Sequence, residues 1–128
     1  LNEAIRWGLE YRKRSPQAQA LSDVAVARLA LGITQARSGR PREALQNFQA
    51  ARADFDEAIR LTPDLPMMRW RQARVYEWIG KTHATLKSPA CRDGFSQAAA
   101  QFEQLRAANR IAPADRNEPE RLRRLAST

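Results

Sequence analysis

The sequence predicts an all-α chain of antiparallel helix pairs, about six helices, stacked as a short solenoid. Three observations point there. Apolar residues recur at alternating steps of three and four, the period of one helix face. Pro and Gly break the chain at intervals of one helix length. The breaks also repeat, with Gly32 and Gly80 standing 48 residues apart, Pro16 and Pro63 standing 47 apart, and Leu31-Gly32 answered by Ile79-Gly80. Composition agrees: the 128 residues are 43% apolar and 28% charged, with 5 Gly and 7 Pro, which argues for a folded chain and against a disordered one. β-branched runs are missing, so most long segments prefer helix.

Five breaks divide the chain. Ser15-Pro16 closes a first helix over about 1–14, because Pro stops a preceding helix and is welcome in a first turn. Ser38-Gly39-Arg40-Pro41 separates helices over 18–37 and 41–61. Thr62-Pro63-Asp64-Leu65-Pro66 precedes a helix over 66–86, Lys87-Ser88-Pro89 one over 90–110, and Ala112-Pro113 a last one over 117–126. In the third segment Ala44, Phe48, Ala51, Phe55 and Ala58 form one stripe, widened by Leu45 and Ile59. Phe95, Ala98, Phe102 and Leu105 repeat it in the fifth. Alternating large and small residues let neighbouring helices interlock. The repeat unit is therefore a helix pair, 18–63 and then 66–112. Residues 1–16 read as the second helix of a truncated repeat and 115–128 as a capping helix.

The stretch Leu31-Gly32, Gly39, Ala44, Phe48 and Ala51 resembles a tetratricopeptide repeat, with the Leu-Gly pair, turn Gly, small Ala, aromatic and second Ala at that family's intervals. The second unit, whose Gly80 answers Gly32, departs from it, with Lys87 at the turn and a spacing one residue shorter, after which Cys91, Phe95 and Ala98 take the small, aromatic and small roles. The long second helix and the phrase Ala58-Ile59-Arg60-Leu61-Thr62-Pro63-Asp64 are similar to the repeat tails of large bacterial signalling proteins, notably Ser/Thr protein kinases. This resemblance implies a right-handed solenoid and a non-catalytic, partner-docking scaffold cut from a longer chain. A regulatory or dimerisation domain of a parent enzyme is the alternative. The sequence itself contains no Gly-rich phosphate loop, His-Arg-Asp or Asp-Phe-Gly.

Charge narrows the partner. The net +8 comes from 22 basic residues, 19 of them Arg, against 14 acidic ones. The basic residues are dispersed, with short groups at Arg12-Lys13-Arg14, Arg69 to Arg74 and Arg121 to Arg124, so an acidic protein or peptide is a better expectation than nucleic acid. One cysteine, Cys91, and one histidine, His83, cannot build a Cys/His metal site, and no cofactor or metal is expected. No run approaches the apolar length of a membrane span. A reducing, cytoplasmic setting is expected. Cys91 reads as an inert thiol and His83 as structural, and no catalytic constellation stands out.

The resemblance places binding on a concave face lined by the first helix of each pair. Its inward positions are Val26, Leu29, Ile33, Ala36 and Arg37 in the first repeat, and Arg74, Glu77, Lys81, Ala84 and Thr85 in the second. A two-carboxylate clamp would need Lys and Asn where Leu29 and Ile33 stand. A peptide with apolar anchors flanked by acidic residues suits the face better, with Arg37, Arg74 and Lys81 supplying charge complementarity. Trp70 and Trp78 share a helix face; each is core unless exposed, and then an anchor. Trp7 at the truncated end offers a route to self-association.

Overall fold

The computed structural model describes the backbone of residues 2–128 and the side chains of residues 16–128. Trp7 and the Arg12-Lys13-Arg14 group lie outside the described side chains. Helices α1 (Asn2–Arg37), α2 (Pro41–Leu61), α3 (Pro66–Thr85), α4 (Cys91–Ala107) and α5 (Glu118–Ala126) follow in order, with a 3-10 turn at Pro113–Asp115 before α5. Among the described residues there is no strand, and the expected all-α class holds.

One expected break does not form. α1 runs through Pro16, so the two helices anticipated over 1–14 and 18–37 are one, and the described chain has five α-helices instead of about six. The backbone does not reverse at Pro16, so 1–16 is not set off as a separate antiparallel helix. An interior proline loses one backbone hydrogen bond and costs roughly 3 kcal/mol. Opposing that cost are the good helix formers around it and the complete burial of Ala18, Ser22 and Ala25 in the turns that follow.

The helices pack with their chain neighbours. Side-chain bonds between α1 and α2 link Arg28 to Asp54 and Gln35 to Asn47, the sequence separation falling from 26 to 12, as antiparallel neighbours require. α3 and α4 pair likewise, with Arg69 bonded to Gln101 near one end and Gly80 against Phe95 towards the other. α2 meets α3 through Gln72 on Asp56 and through the Phe48 and Trp78 rings, 5.8 Å apart. α1 and α3 run parallel, and Arg71 donates to the hydroxyl of Ser22 across a separation of 49 residues, close to the repeat offset in the sequence.

Two glycine sockets set these pairs. A methyl group at Gly32 would stand 2.5 Å from Cε1 of the fully buried Phe48, and one at Gly80 would stand 2.9 Å from Cδ1 of Phe95. Only a bare backbone lets the ring approach the helix this closely. In the second pair Gly94 brings the two backbones together, because a Cβ there would meet the Gly80 nitrogen at 2.6 Å. Gly94 is therefore the closest small-residue contact of this crossing, while Cys91, expected in that role, is only half-buried. The α2 stripe from Ala44 to Ala58 is completely buried, as are Ala98 and Phe102 of α4. Leu31 of the repeat signature is instead 51% exposed, because consecutive helix residues diverge by about 100° and Gly32 is the one that faces α2.

Three helices end in the same way. Gly39, Lys87 and Asn109 all take left-handed φ values of 78°, 57° and 57°. The next amide in each case bonds back five residues: Arg40 to Gln35, Ser88 to His83 and Arg110 to Leu105. These are Schellman caps, satisfying carbonyls that the helix end would leave open. Lys87 holds after α3 the conformation that Gly39 holds after α1, so the two turns differ in chemistry and not in conformation.

Two predictions follow from this geometry. Gly32→Ala, which forces a methyl into Phe48, lowers unfolding free energy by about 1–3 kcal/mol in a denaturant titration. Lys87→Gly relieves a left-handed Cβ and raises it by roughly 0.5–1 kcal/mol.

Candidate interaction surface

The face shared by the parallel helices α1 and α3 has two unlike halves. At their C-terminal ends lies an open cleft of about 140 Å³ lined by Ala36, Arg37, Pro41, Trp78, Lys81, Thr82 and Thr85. Trp78 forms its floor, packed on Phe48 and half-buried. The Arg37 guanidinium stands 5.9 Å from the Trp78 ring centroid and the Lys81 ammonium 4.7 Å, so two cations flank one indole. Leu29, Ile33 and Ala36 are half-buried against the core beside it, while Val26 is exposed. Ala84 and Thr85 face solvent.

The other half is closed by the chain's own C-terminal segment. Glu77, expected on an open groove, is buried. Its carboxylate accepts from Arg74 at 2.9 Å and from Arg121 of α5 at 2.8 Å, with the Lys81 ammonium 3.7 Å away. Arg74 also donates to Asp115 at 3.2 Å and lies 5.0 Å from the Phe102 ring centroid. Arg121 further donates to Glu118 at 2.7 Å. The structure thus brings Arg37 and Lys81 together over Trp78 at the cleft, with Lys81 also 3.7 Å from Glu77, while Arg74 and Glu77 tie α3 to α5 and are internally satisfied. Leu122 of α5, fully buried against the Phe95–Phe102 cluster, supplies the apolar part of the same contact.

The electrostatics of this junction have a definite sign. Burial pushes the Glu77 carboxyl up, but the hydrogen bonds and positive charges of Arg121, Lys81 and Arg74 outweigh it and hold the carboxyl below its ordinary 4.5. Arg106 joins α4 to α5 in a similar way through Glu120, and pairs with Glu103 on its own helix. Both of those exposed carboxyls are drawn down, in each case mainly by the hydrogen bond from Arg106.

Arg121 and Asp115 escape sequence reasoning. The only available signal is the Glu118/Arg121 spacing of three, which marks a paired helix face but not its target. Many of the basic residues are paired within the fold, since Arg28, Arg52, Arg60, Arg74, Arg106, Arg121 and Arg123 all meet carboxylates.

A polar cavity of about 290 Å³ lies between α2, α3 and α4, lined in part by Arg52, Tyr76, His83, Asp93 and Gln97. His83 Nδ1 is buried there without a hydrogen-bond partner. Burial and then the charge of Asp56 push the Tyr76 hydroxyl up. No Ser, Thr or Cys lines this cavity, and the one hydroxyl in its lining is the phenol of Tyr76. Among the described residues no group of three or more His, Cys, Asp or Glu could hold a metal ion, and no helix is long and apolar enough to cross a membrane.

The buried carboxylate gives a pH-dependent prediction. Glu77→Gln destabilises the chain at neutral pH by about 1.5–3 kcal/mol, the range for hydrogen bonds to charged groups. Because the folded carboxyl titrates below its ordinary value, this contribution is complete above pH 4.5 and is lost as the pH falls through the lowered value. Denaturant titrations of both proteins from neutral pH downward should therefore converge in acid.

No protein family, no curated protein and no solved structure matches the chain.

Proposed function

We propose that this chain is a non-catalytic protein-interaction module, a tetratricopeptide-like repeat segment of a larger bacterial signalling protein. On this proposal it holds an acidic-flanked apolar segment of a partner in the α1/α3 cleft. The observation that carries the reading is the Trp78 floor flanked by Arg37 and Lys81. An indole on a rigid helix offers contact area at little cost in side-chain entropy, and Trp and Arg are the residue types that dominate binding hot spots. Arg37 meets no carboxylate among the described residues, so it is free to pair with one from a partner. The parallel offset of α1 and α3 and the paired Gly–Phe sockets support the repeat reading, because they make the second helix pair a copy of the first.

Nucleic acid fits less well. The arginines that pair internally are removed from any phosphate-binding stripe, and the remainder are spread over several helices.

The test is photo-crosslinking with benzophenone placed at Thr85, on the cleft, and separately at Gln46, on the exposed side of α2, in a nuclease-treated bacterial lysate. A protein that crosslinks at Thr85 but not at Gln46, and that is lost by roughly tenfold or more in Arg37→Glu/Lys81→Glu, is the expected outcome. Equal crosslinking at both positions, or retention indifferent to the charge reversal, contradicts the reading.

A further inference from the structure

A second surface lies at the opposite end of α3. Pro66, Met67 and Trp70, together with Leu105 of α4 and Ala112 of the following loop, line a cavity of about 620 Å³. It is the largest of the cavities described above and falls within the roughly 300–1,000 Å³ range of ligand sites. Met67 is 58% and Trp70 39% exposed, unusual for such large apolar residues. They stand three apart, on one face of the helix.

The Trp70 indole is fixed before anything binds. Its Nε1 donates to Asp115 Oδ2 at 2.9 Å, and the Arg74 guanidinium covers the ring from 5.5 Å. The polar end of the indole is therefore satisfied, and what it offers outward is apolar surface. An occupant has to supply apolar side chains to meet it and gains nothing by bringing a hydrogen-bond acceptor to Nε1.

Charge then selects among occupants. Two arginines line this cavity, Arg71 and Arg110. Arg71 donates to the uncharged hydroxyl of Ser22 at 2.6 Å, and neither arginine meets a carboxylate among the described residues. The carboxylate in the wall, Asp115, is already shared between Trp70 and Arg74. The rim is thus positive around an apolar floor. A second copy of this chain carries +8 and would set arginines against arginines.

We infer that this cavity is a docking site for a segment of a partner protein that carries bulky aliphatic side chains flanked by Asp or Glu. The aliphatic side chains lie on Met67 and Trp70, and the flanking carboxylates pair with Arg71 and Arg110. The site is separate from the α1/α3 cleft and does not depend on it.

The experiment follows the three tryptophan indole signals of the ¹⁵N-labelled chain by NMR, each assigned by its Trp→Phe variant. The titrant is a short synthetic peptide with paired leucines between glutamates, and beside it a twin with lysines in place of the glutamates. The glutamate peptide moves the Trp70 signal and the lysine twin does not. Arg71→Glu/Arg110→Glu, checked for unchanged helicity by circular dichroism, weakens the glutamate peptide by roughly tenfold or more and transfers the preference to the lysine twin. The inference is overturned if neither peptide moves Trp70, or if both move it equally. It is also overturned if the Trp70 signal moves with protein concentration alone, since a second copy then fills the cavity. Movement of Trp78 without Trp70 overturns this inference and leaves the α1/α3 cleft standing.

Discussion

A phenylalanine ring packed directly against a glycine backbone is the contact on which the rest of this structure depends. Phe48 on Gly32 brings α2 close to α1, and Phe95 on Gly80, with Gly94 in backbone contact, does the same for α4 and α3. Because both pairs use the same kind of contact, α1 and α3 end up parallel and side by side, with Arg71 meeting Ser22 across a separation of 49 residues. The cleft at Trp78 and the exposed face of Trp70 follow from that placement. A side chain as small as Ala in either socket would move a whole helix, since the ring it meets is buried and has nowhere to go.

Electrostatics finishes what packing begins. α5 is only nine residues long, and its apolar contribution is chiefly Leu122 and Pro119. It is anchored by ion pairs that reach Glu77 on α3 and Glu103 on α4. Burial of Glu77 among three cations makes that contact specific: a carboxylate removed from water is costly unless its oxygens are fully bonded, and here they are. α3 is thereby divided along its length, with one end open at Lys81, the middle held by α5 through Arg74 and Glu77, and the other end open at Trp70.

The parts legible in the sequence are those that repeat. The buried stripes of α2 and α4, the glycines at 32 and 80 and the 48-residue offset all follow from helix period and break position. The passage of α1 through Pro16 was not legible, because it depends on burial of Ala18 and Ser22 against other helices, which overrides a local breaker. Left-handed Lys87 and Asn109 were hidden because only Gly39 advertises that conformation by its residue type. Arg74 and Glu77 looked like groove residues since nothing in their own helix says that α5 lies over them. Lys81 and Arg37 meet at one ring because one turn of each parallel helix reaches Trp78.

The central claim is that ring and glycine act as one fitted contact, and a double-mutant cycle on Gly32→Ala and Phe48→Leu measures it directly. Leucine is smaller and more flexible than the ring, so it should make room for the methyl. The account predicts that the double variant is more stable than the sum of the single losses by about 1 kcal/mol or more, measured by denaturant unfolding. Losses that add to within roughly 0.3–0.5 kcal/mol would mean that the two residues do not feel each other and would contradict it.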